Sequence, residues 1–457
     1  MRSSLSLFLL VALLASCGPG AGMVEDEPER PEPSQATLLT PDPAAALPSP
    51  LCPGSGPPPV TDLEVRAPPR LAEPAPRRPY RDPVFGTCIV RITDRQRDLD
   101  AEDPSPGIKN EYARVPSFNA DESLILARSI EAYWYVYDAR SLQPLGSLPL
   151  GSEPRWDAAD PNRIYYSEGT RLMAYDLQRG ESEVVHAFAP DVPGPSLAAV
   201  WTRYEGRPSM DTRYWGLMAE DEAWLPVAFL VYDRTEDRAT VRDMRRVPGI
   251  EEDVDHVTIS PLGTYFLGSF DRACEAGTLG RDGAPCGLMA YDRELRQGRG
   301  LLRVIGHYDV ALDAAGREVV VYQDIDTDQI AMVDLESGEV TPLWAIDFSH
   351  TPIGLHFSGL GYERPGWAVV STYSGGYPKA YTWMDDQVFL VELRAGGGVV
   401  RLAHTHSQVD EQMEHDYWAE PHATTNRDLT RVLFTSNWGR SGTQDVEMYM
   451  IELSWGH

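Results

Sequence analysis

The sequence predicts an all-β fold, a β-propeller of seven blades closed by a strand from the N-terminal side of the domain. Three observations predict it. A unit of roughly 40 to 50 residues recurs along the chain, which is the spacing of propeller blades. Each unit reads as turn, strand, loop, strand, then an Asp and another turn, the pattern of successive short antiparallel strands. The final unit ends one strand short, while an unassigned strand stands ahead of the first.

The pattern is plainest from Gln412 to Leu453: a polar entry (Glu420, Pro421, His422), a turn (Asn426, Arg427, Asp428), an apolar run (Val432, Leu433, Phe434), a Gly-containing turn and a second run from Met448. Upstream, the unit recurs as SFNADESLILARS from Ser117, DAADPNRIYYSEG from Asp157, TISPLGTYFLGSF from Thr258 and ALDAAGREVVVYQ from Ala311. Residues 199–247 and 351–403 fit with longer loops. The units start near residues 111, 153, 199, 255, 307, 352 and 415. Thr87–Thr93 (TCIVRIT) supplies the strand missing from the last, so that no open edge is left to pair with other chains. A pair of β-sandwiches, or a ring of six or eight blades, is the competing architecture.

Ahead of the propeller, residues 1–16 carry Arg2, an apolar run from Leu5 to Leu14 and the small residues Ala15 and Ser16, and read as an export signal. Cys17 follows. Leu14 to Cys17 (LASC) resembles the lipobox of bacterial lipoproteins, which implies that Cys17 is diacylated and becomes the mature N-terminus. Gly18 follows, not the Asp that retains such proteins at the inner membrane of many Gram-negative bacteria. The resemblance therefore implies a lipid anchor in the bacterial cell envelope, at the outer membrane or surface. No other apolar run approaches the ~20 residues of a membrane span, so the membrane partner is reached through the lipid. Residues 17–80 are dense in Pro, Ala, Glu and Ser and poor in periodic apolar residues, and read as a disordered linker. At about 60 residues it would reach some 45 Å as a coil and roughly 190 Å as extended polyproline. The propeller domain is expected over 81–457.

Net charge is −29, and the loss of Arg2 with the signal would make it one unit more negative. That excess excludes nucleic acid as a partner and suits a domain that recruits cations. Besides Cys17 there are Cys52, Cys88, Cys274 and Cys286. An exported compartment permits disulfides. Cys274 and Cys286 bracket a turn-rich loop and form the stronger pair; Cys52 with Cys88 would staple the linker to the first strand. No C-x-x-C accompanies any of them, so a zinc site built on cysteine is not indicated.

Aligning the units on their central strands brings polar residues to one end of the channel. His256 and His422 each lie ten positions ahead of a central apolar residue, Phe266 and Val432, and Asp309 and Arg114 stand at the equivalent places before Val319 and Leu124. Glu420 and His307 come two positions earlier. His256, His307, Asp309, Glu420 and His422 are thus expected to converge, with His350 or His356 from the sixth unit beside them. Imidazoles and carboxylates meeting at one point make a site for a divalent metal, manganese or zinc before calcium. The alternative is a solvated rim in which each group bonds a neighbouring backbone. His404, His406 and His415 read as a mobile lid or a solvated loop. Asp324–Asp328 (DIDTD) has calcium-loop composition but lacks the Gly and downstream Glu of an EF-hand, and at a hairpin Asp is ordinary turn chemistry. Trp134, Tyr135, Trp156, Tyr166, Trp215 and Trp383 read mainly as packing between blades. No G-x-S-x-G elbow is present.

The repeat is similar to that of TolB-like propellers, and the last unit, with His422 ahead of RVLFTSN (Arg431–Asn437), resembles the oligogalacturonate lyase family. The resemblance implies seven blades, manganese held by several His and a Gln, and elimination across a uronate glycosidic bond by a His base with an Arg. It implies His422 as a metal ligand, His307 as the base and Arg114, or Arg155, as the arginine. Glu420 stands where that family has His, and Tyr417 where it has Gln, so the ligand set is altered. Asp309 and Glu420 would repel a polyanionic substrate unless metal-bound. The expected function is accordingly a surface-tethered, monomeric propeller that binds a protein or glycan at its channel mouth. The alternative is a metal-dependent carbohydrate-active enzyme of the lyase type.

Overall fold

The computed structural model describes residues 38–54, 57–194, 196–248, 250, 254–350, 353–374, 381–410 and 413–455; the expected signal and Cys17 lie outside them. The described residues form seven antiparallel sheets arranged as a β-propeller. From innermost to outermost strand, blade 1 runs from Ile108–Lys109 to Pro144–Leu148 and blade 2 from Ser152–Trp156 to Glu181–Ala187. Blade 3 runs from Leu197–Trp201 to Arg238–Asp243, and blade 4 from Val254–Ile259 to Gly298–Leu302. Blade 5 runs from Tyr308–Leu312 to Val340–Ala345, and blade 6 from Ile353–Ser358 to Val399–His404. Blade 7 takes Thr424–Thr425, Arg431–Ser436 and Glu447–Glu452 from the C-terminal end. Cys88–Arg91 completes it in antiparallel register, Ile89 opposite Ile451, and Tyr80–Arg81 adds a fifth strand outside.

Blade-on-blade stacking explains the sequence pattern. The second and third strands of a blade are covered on both faces, so they are mainly apolar: Trp134–Asp138 and Pro226–Asp233 are buried along their whole length. An outermost strand such as Glu181–Ala187 has no buried residue, and carries no comparable run. The core is correspondingly a series of wedges between neighbours, for example Val319, Val321 and Met332 of blade 5 against Leu355, Phe357 and Phe389 of blade 6. Trp134, Tyr135, Trp156, Tyr166 and Trp215 are buried in such wedges.

The closure is pinned by charge as well as by the ladder. Glu447 is buried, accepting from Arg91 at 2.8 Å, Thr93 at 2.6 Å and Arg95 at 2.7 Å. Both disulfides form, Cys274–Cys286 within blade 4 and Cys52–Cys88 onto the closing strand.

The expected linker 17–80 is divided by the structure. The described residues of 38–80 lie along the outer strands of blades 1, 6 and 7. Leu39 N–H donates to the Leu145 carbonyl at 2.8 Å and Val60 bridges Arg401. Arg401 donates to the Glu64 carbonyl at 2.6 Å, and Arg440 pairs with Glu73 at 2.9 Å. His404 and His406 are held beneath this strap rather than in a lid: the His404 Nε2 atom is 2.8 Å from the Arg66 carbonyl, and the His406 ring stacks 4.3 Å from Trp438. The disordered reading failed because the strap contributes few apolar side chains of its own. Its carbonyls are instead satisfied by arginines of the blades, and its prolines lose little freedom on docking.

Candidate metal centre at the channel mouth

Each innermost strand starts at the same end of the ring, and the hairpin joining second to third strand returns to that end because the strands are antiparallel. Residues at or just before those starts therefore face one another across the mouth. His356 comes from the innermost strand of blade 6, His307 precedes that of blade 5, and Glu420 and His422 precede that of blade 7. His422 has φ of +43°, a left-handed backbone uncommon for a non-glycine residue. It is fixed there by Asn110, whose side-chain amide donates to the His422 carbonyl at 2.7 Å.

His356, Glu420 and His422 form a compact group, with one donor atom from each lying within 4.8 Å of the others. His356 Nε2 is 2.7 Å and His422 Nε2 3.5 Å from Glu420 Oε2. The His356 ring centroid is 4.2 Å from that of His422 and 4.4 Å from that of His307. Tyr112 covers the group, its ring 4.7 Å from His422 and its hydroxyl 3.5 Å from His307 Nδ1. Nδ1 of His356 and Nε2 of His422 are buried without a hydrogen-bond partner among the described residues. Buried imidazole nitrogens left unsatisfied cost free energy unless something else takes their lone pairs. Two imidazoles and a carboxylate are a donor set that fits a divalent transition ion. The residues present therefore fit the metal that the sequence suggested.

Electrostatics bear on how that set would load. Burial is the largest influence on each group. It holds His356 and His422 well below the ordinary imidazole range and brings His307 down to about 3, with His356 adding to the effect on His307. It pushes Glu420 up to about 7, against His307, a Tyr373 hydrogen bond and Lys109. Lys109, which lies 3.0 Å from His422 Nδ1, is brought down to about 7 by burial and by Arg128.

The other expected residues are placed elsewhere. Asp309 is buried in an ion pair with Arg207 at 2.6 Å and also accepts from the backbone of Val310 and Gly359, so it lies outside the group. This also removes Asp309 from the charges expected to repel a polyanion. His256 belongs to a second cluster with Glu205 and Asp255. There its Nδ1 is 2.8 Å from Asp255, while its Nε2 meets Arg114, the Tyr308 hydroxyl at 2.8 Å and the Ser269 hydroxyl at 3.2 Å. Both His256 nitrogens are engaged, and the Arg114 guanidinium beside them opposes a cation. Arg114 pairs with Glu205 at 3.1 Å and lies 4.2 Å over the Tyr308 ring. Arg155 pairs with Glu111 at 2.9 Å. Of the two sixth-unit histidines, His356 joins the centre; His350 is exposed beside Asp347. Asp324 caps its hairpin by accepting from the Asp326 N–H, and Asp326 pairs with Arg303, as turn residues do.

Lys109, Tyr112 and Tyr373 were missed in the sequence. Lys109 and Tyr112 lie five and two positions before Arg114, and Tyr112 stands at the offset that Glu420 has from His422 and His307 has from Asp309. That shared offset was the available signal for Tyr112.

No protein-family model matches the sequence, and no curated protein matches it. Among solved structures the chain is similar to an oligogalacturonate lyase in complex with manganese, at 16% identity and a TM-score of 0.56, over 82% of this chain and 96% of that one. It is also similar to the oligogalacturonate lyase of Vibrio parahaemolyticus, at 11% identity and 0.56, over the same shares. The fold is shared. At these identities nothing more follows from the likeness itself.

Proposed function

We propose that this chain is an envelope-tethered propeller that binds acidic saccharides at a divalent-metal site in its channel mouth. The observation that carries the reading is the buried group His356, Glu420 and His422, in which His422 Nε2 faces Glu420 with no hydrogen-bond partner among the described residues. These three residues hold the ion, manganese or zinc in type, with His307 at the group's edge. When bound, the ion supplies positive charge to a sugar carboxylate and acidifies the C–H beside it. Arg114 takes a second carboxylate oxygen in exchange for Glu205, which is 28% exposed and sits where such a group would arrive. Asp309 exerts no repulsion because Arg207 neutralises it.

Turnover by β-elimination is the second reading, supported by the fold shared with two lyases. It meets one difficulty in this chain. A base at neutral pH needs a pKa near 7, and His307 is brought down to about 3. Glu420 also replaces a ligand of the family's pattern, which weakens the equivalence.

Elemental analysis of the protein, purified without chelator or His tag and dialysed, is expected to give near one transition ion per chain. Absence of metal after reconstitution sinks both readings. With metal present, incubation with galacturonate oligosaccharides separates them: unsaturated products, read by their ultraviolet absorbance, establish the lyase, and binding without product establishes the binding module. The lipid anchor is tested by fatty-acid labelling in a bacterial host, where Cys17→Ser is expected to abolish the label. Label retained in that variant overturns the anchor at Cys17.

A further inference from the structure

We propose that blade 3 carries a saccharide-stacking platform at the channel mouth, made of Trp201, Tyr204 and Trp224. The proposal rests on the acidic-saccharide reading and adds to it a second contact surface with its own residues. Trp201 ends the innermost strand of blade 3, Tyr204 stands in the irregular turn after it, and Trp224 tops the hairpin between Tyr214–Asp221 and Pro226–Asp233. The Trp201 ring is 4.9 Å from Tyr204 and 5.8 Å from Trp224, centroid to centroid. Tyr204 is 54% exposed and Trp224 38%. Among the described residues, Tyr417 is the one other aromatic side chain with comparable exposure, in a propeller that otherwise spends its aromatics on packing between blades.

The rings are held out at a cost. Arg203, Tyr204 and Trp224 have φ of +64°, +71° and +60°, and a left-handed backbone costs a bulky residue about 1 kcal/mol or more. Two of the three rings face solvent. The surroundings are nevertheless built to keep them there. Tyr204 N–H donates to Glu153 and its carbonyl accepts from Arg155 at 2.8 Å. Asp221 accepts from the backbone of Ala223 at 2.9 Å and Leu225 at 3.1 Å, fixing the hairpin that presents Trp224. The Trp201 indole donates to Glu220 at 2.6 Å, and Glu220 pairs with Arg203 at 2.7 Å. A rigid platform of this kind loses little freedom when it binds.

Its position and chemistry select the occupant. Glu205, next in sequence to Tyr204, pairs with Arg114; Arg114 lies 5.4 Å over the Tyr112 ring, and Tyr112 covers His422. Contacts therefore run unbroken from the platform to the metal group. Aromatic faces beside the part-exposed Arg203 and Glu205 suit a molecule with C–H faces and hydroxyl edges, which is a pyranose ring. The chain bound here is an oligosaccharide long enough to place one residue at the metal and a further one on blade 3.

Titration calorimetry of the full-length protein with galacturonate oligosaccharides of two to six residues tests this. Affinity is expected to rise with length, and Trp224→Ala or Tyr204→Ala to lower it for the six-residue chain about tenfold while leaving the two-residue chain unaffected. Tyr204→Phe, which keeps the ring, is expected to bind as the parent does, and metal content to stay unchanged in all three variants. Equal affinity of parent and alanine variants for the long chain overturns the platform, as does a parent that binds none of the saccharides. Failure of the metal reading shows separately, in the metal content, and does not alter the length dependence.

Discussion

His422→Ala is expected to abolish stoichiometric metal binding and leave the propeller folded. His422 contributes one of three converging donors, so its removal leaves a two-ligand site and an affinity at least ~100-fold lower. Its effect on stability is small by comparison, because two contributions oppose each other. Truncation opens a cavity beneath Tyr112 and His356, but it also removes a buried nitrogen with no hydrogen-bond partner, whose desolvation costs about 1–3 kcal/mol. The metal-free variant should therefore melt close to the metal-free parent, and only the parent should gain stability when manganese or zinc is added, since an ion bound to the native state alone stabilises it. His350→Ala, at an exposed position outside the group, serves as the control and should bind metal normally. His256→Ala carries more information. Sequence spacing grouped His256 with His422, whereas the structure engages both of its nitrogens in a separate cluster, so this variant should keep its ion. Parent-like metal content in His422→Ala, by elemental analysis, would place the ion elsewhere.

What the sequence disclosed, and what it hid, follows from where each residue sits. The blades were legible because their middle strands are buried on both faces and must be apolar, and because Asp-led turns recur between them; the closing strand at Cys88–Arg91 followed from counting strands. Outer strands and the 38–80 strap were illegible for one reason: their backbone groups are satisfied without apolar side chains, so composition reads them as loop or linker. In the site, register pointed to His307, Glu420 and His422, left His350 and His356 as alternatives in the sixth unit, and went wrong at Asp309 and His256. A ten-residue offset puts a residue at the right height in its blade without saying which way the side chain turns, and Arg207, from the blade 3 loop, draws Asp309 aside. Lys109 was hidden because a buried lysine is recognisable only from the burial that shifts it.

Metal affinity is expected to fall steeply as pH drops below about 7, and Lys109 to account for part of the slope. For His422 to offer the Nε2 lone pair to an ion, its ring proton must sit on Nδ1, and the group facing Nδ1 is the Lys109 amine at 3.0 Å. A neutral amine accepts that proton's hydrogen bond. An ammonium instead donates to Nδ1, which forces the ring proton onto Nε2 and closes the ligand position. Glu420 must likewise be a carboxylate to ligate. Burial brings both groups to about 7, Glu420 from below and Lys109 from above, so two protons leave in the same pH range as the ion enters. The sign is the same for both: protonation opposes binding, and affinity should drop about 100-fold per pH unit where both are protonated. Lys109→Met keeps the bulk and removes one of the two titrating groups, so the slope of log Kd against pH should fall from about 2 to about 1, measured by metal titration between pH 5.5 and 8. An unchanged slope in that variant would show that Lys109 does not set the His422 tautomer. An affinity independent of pH across the range would remove Glu420 from the ligand set as well.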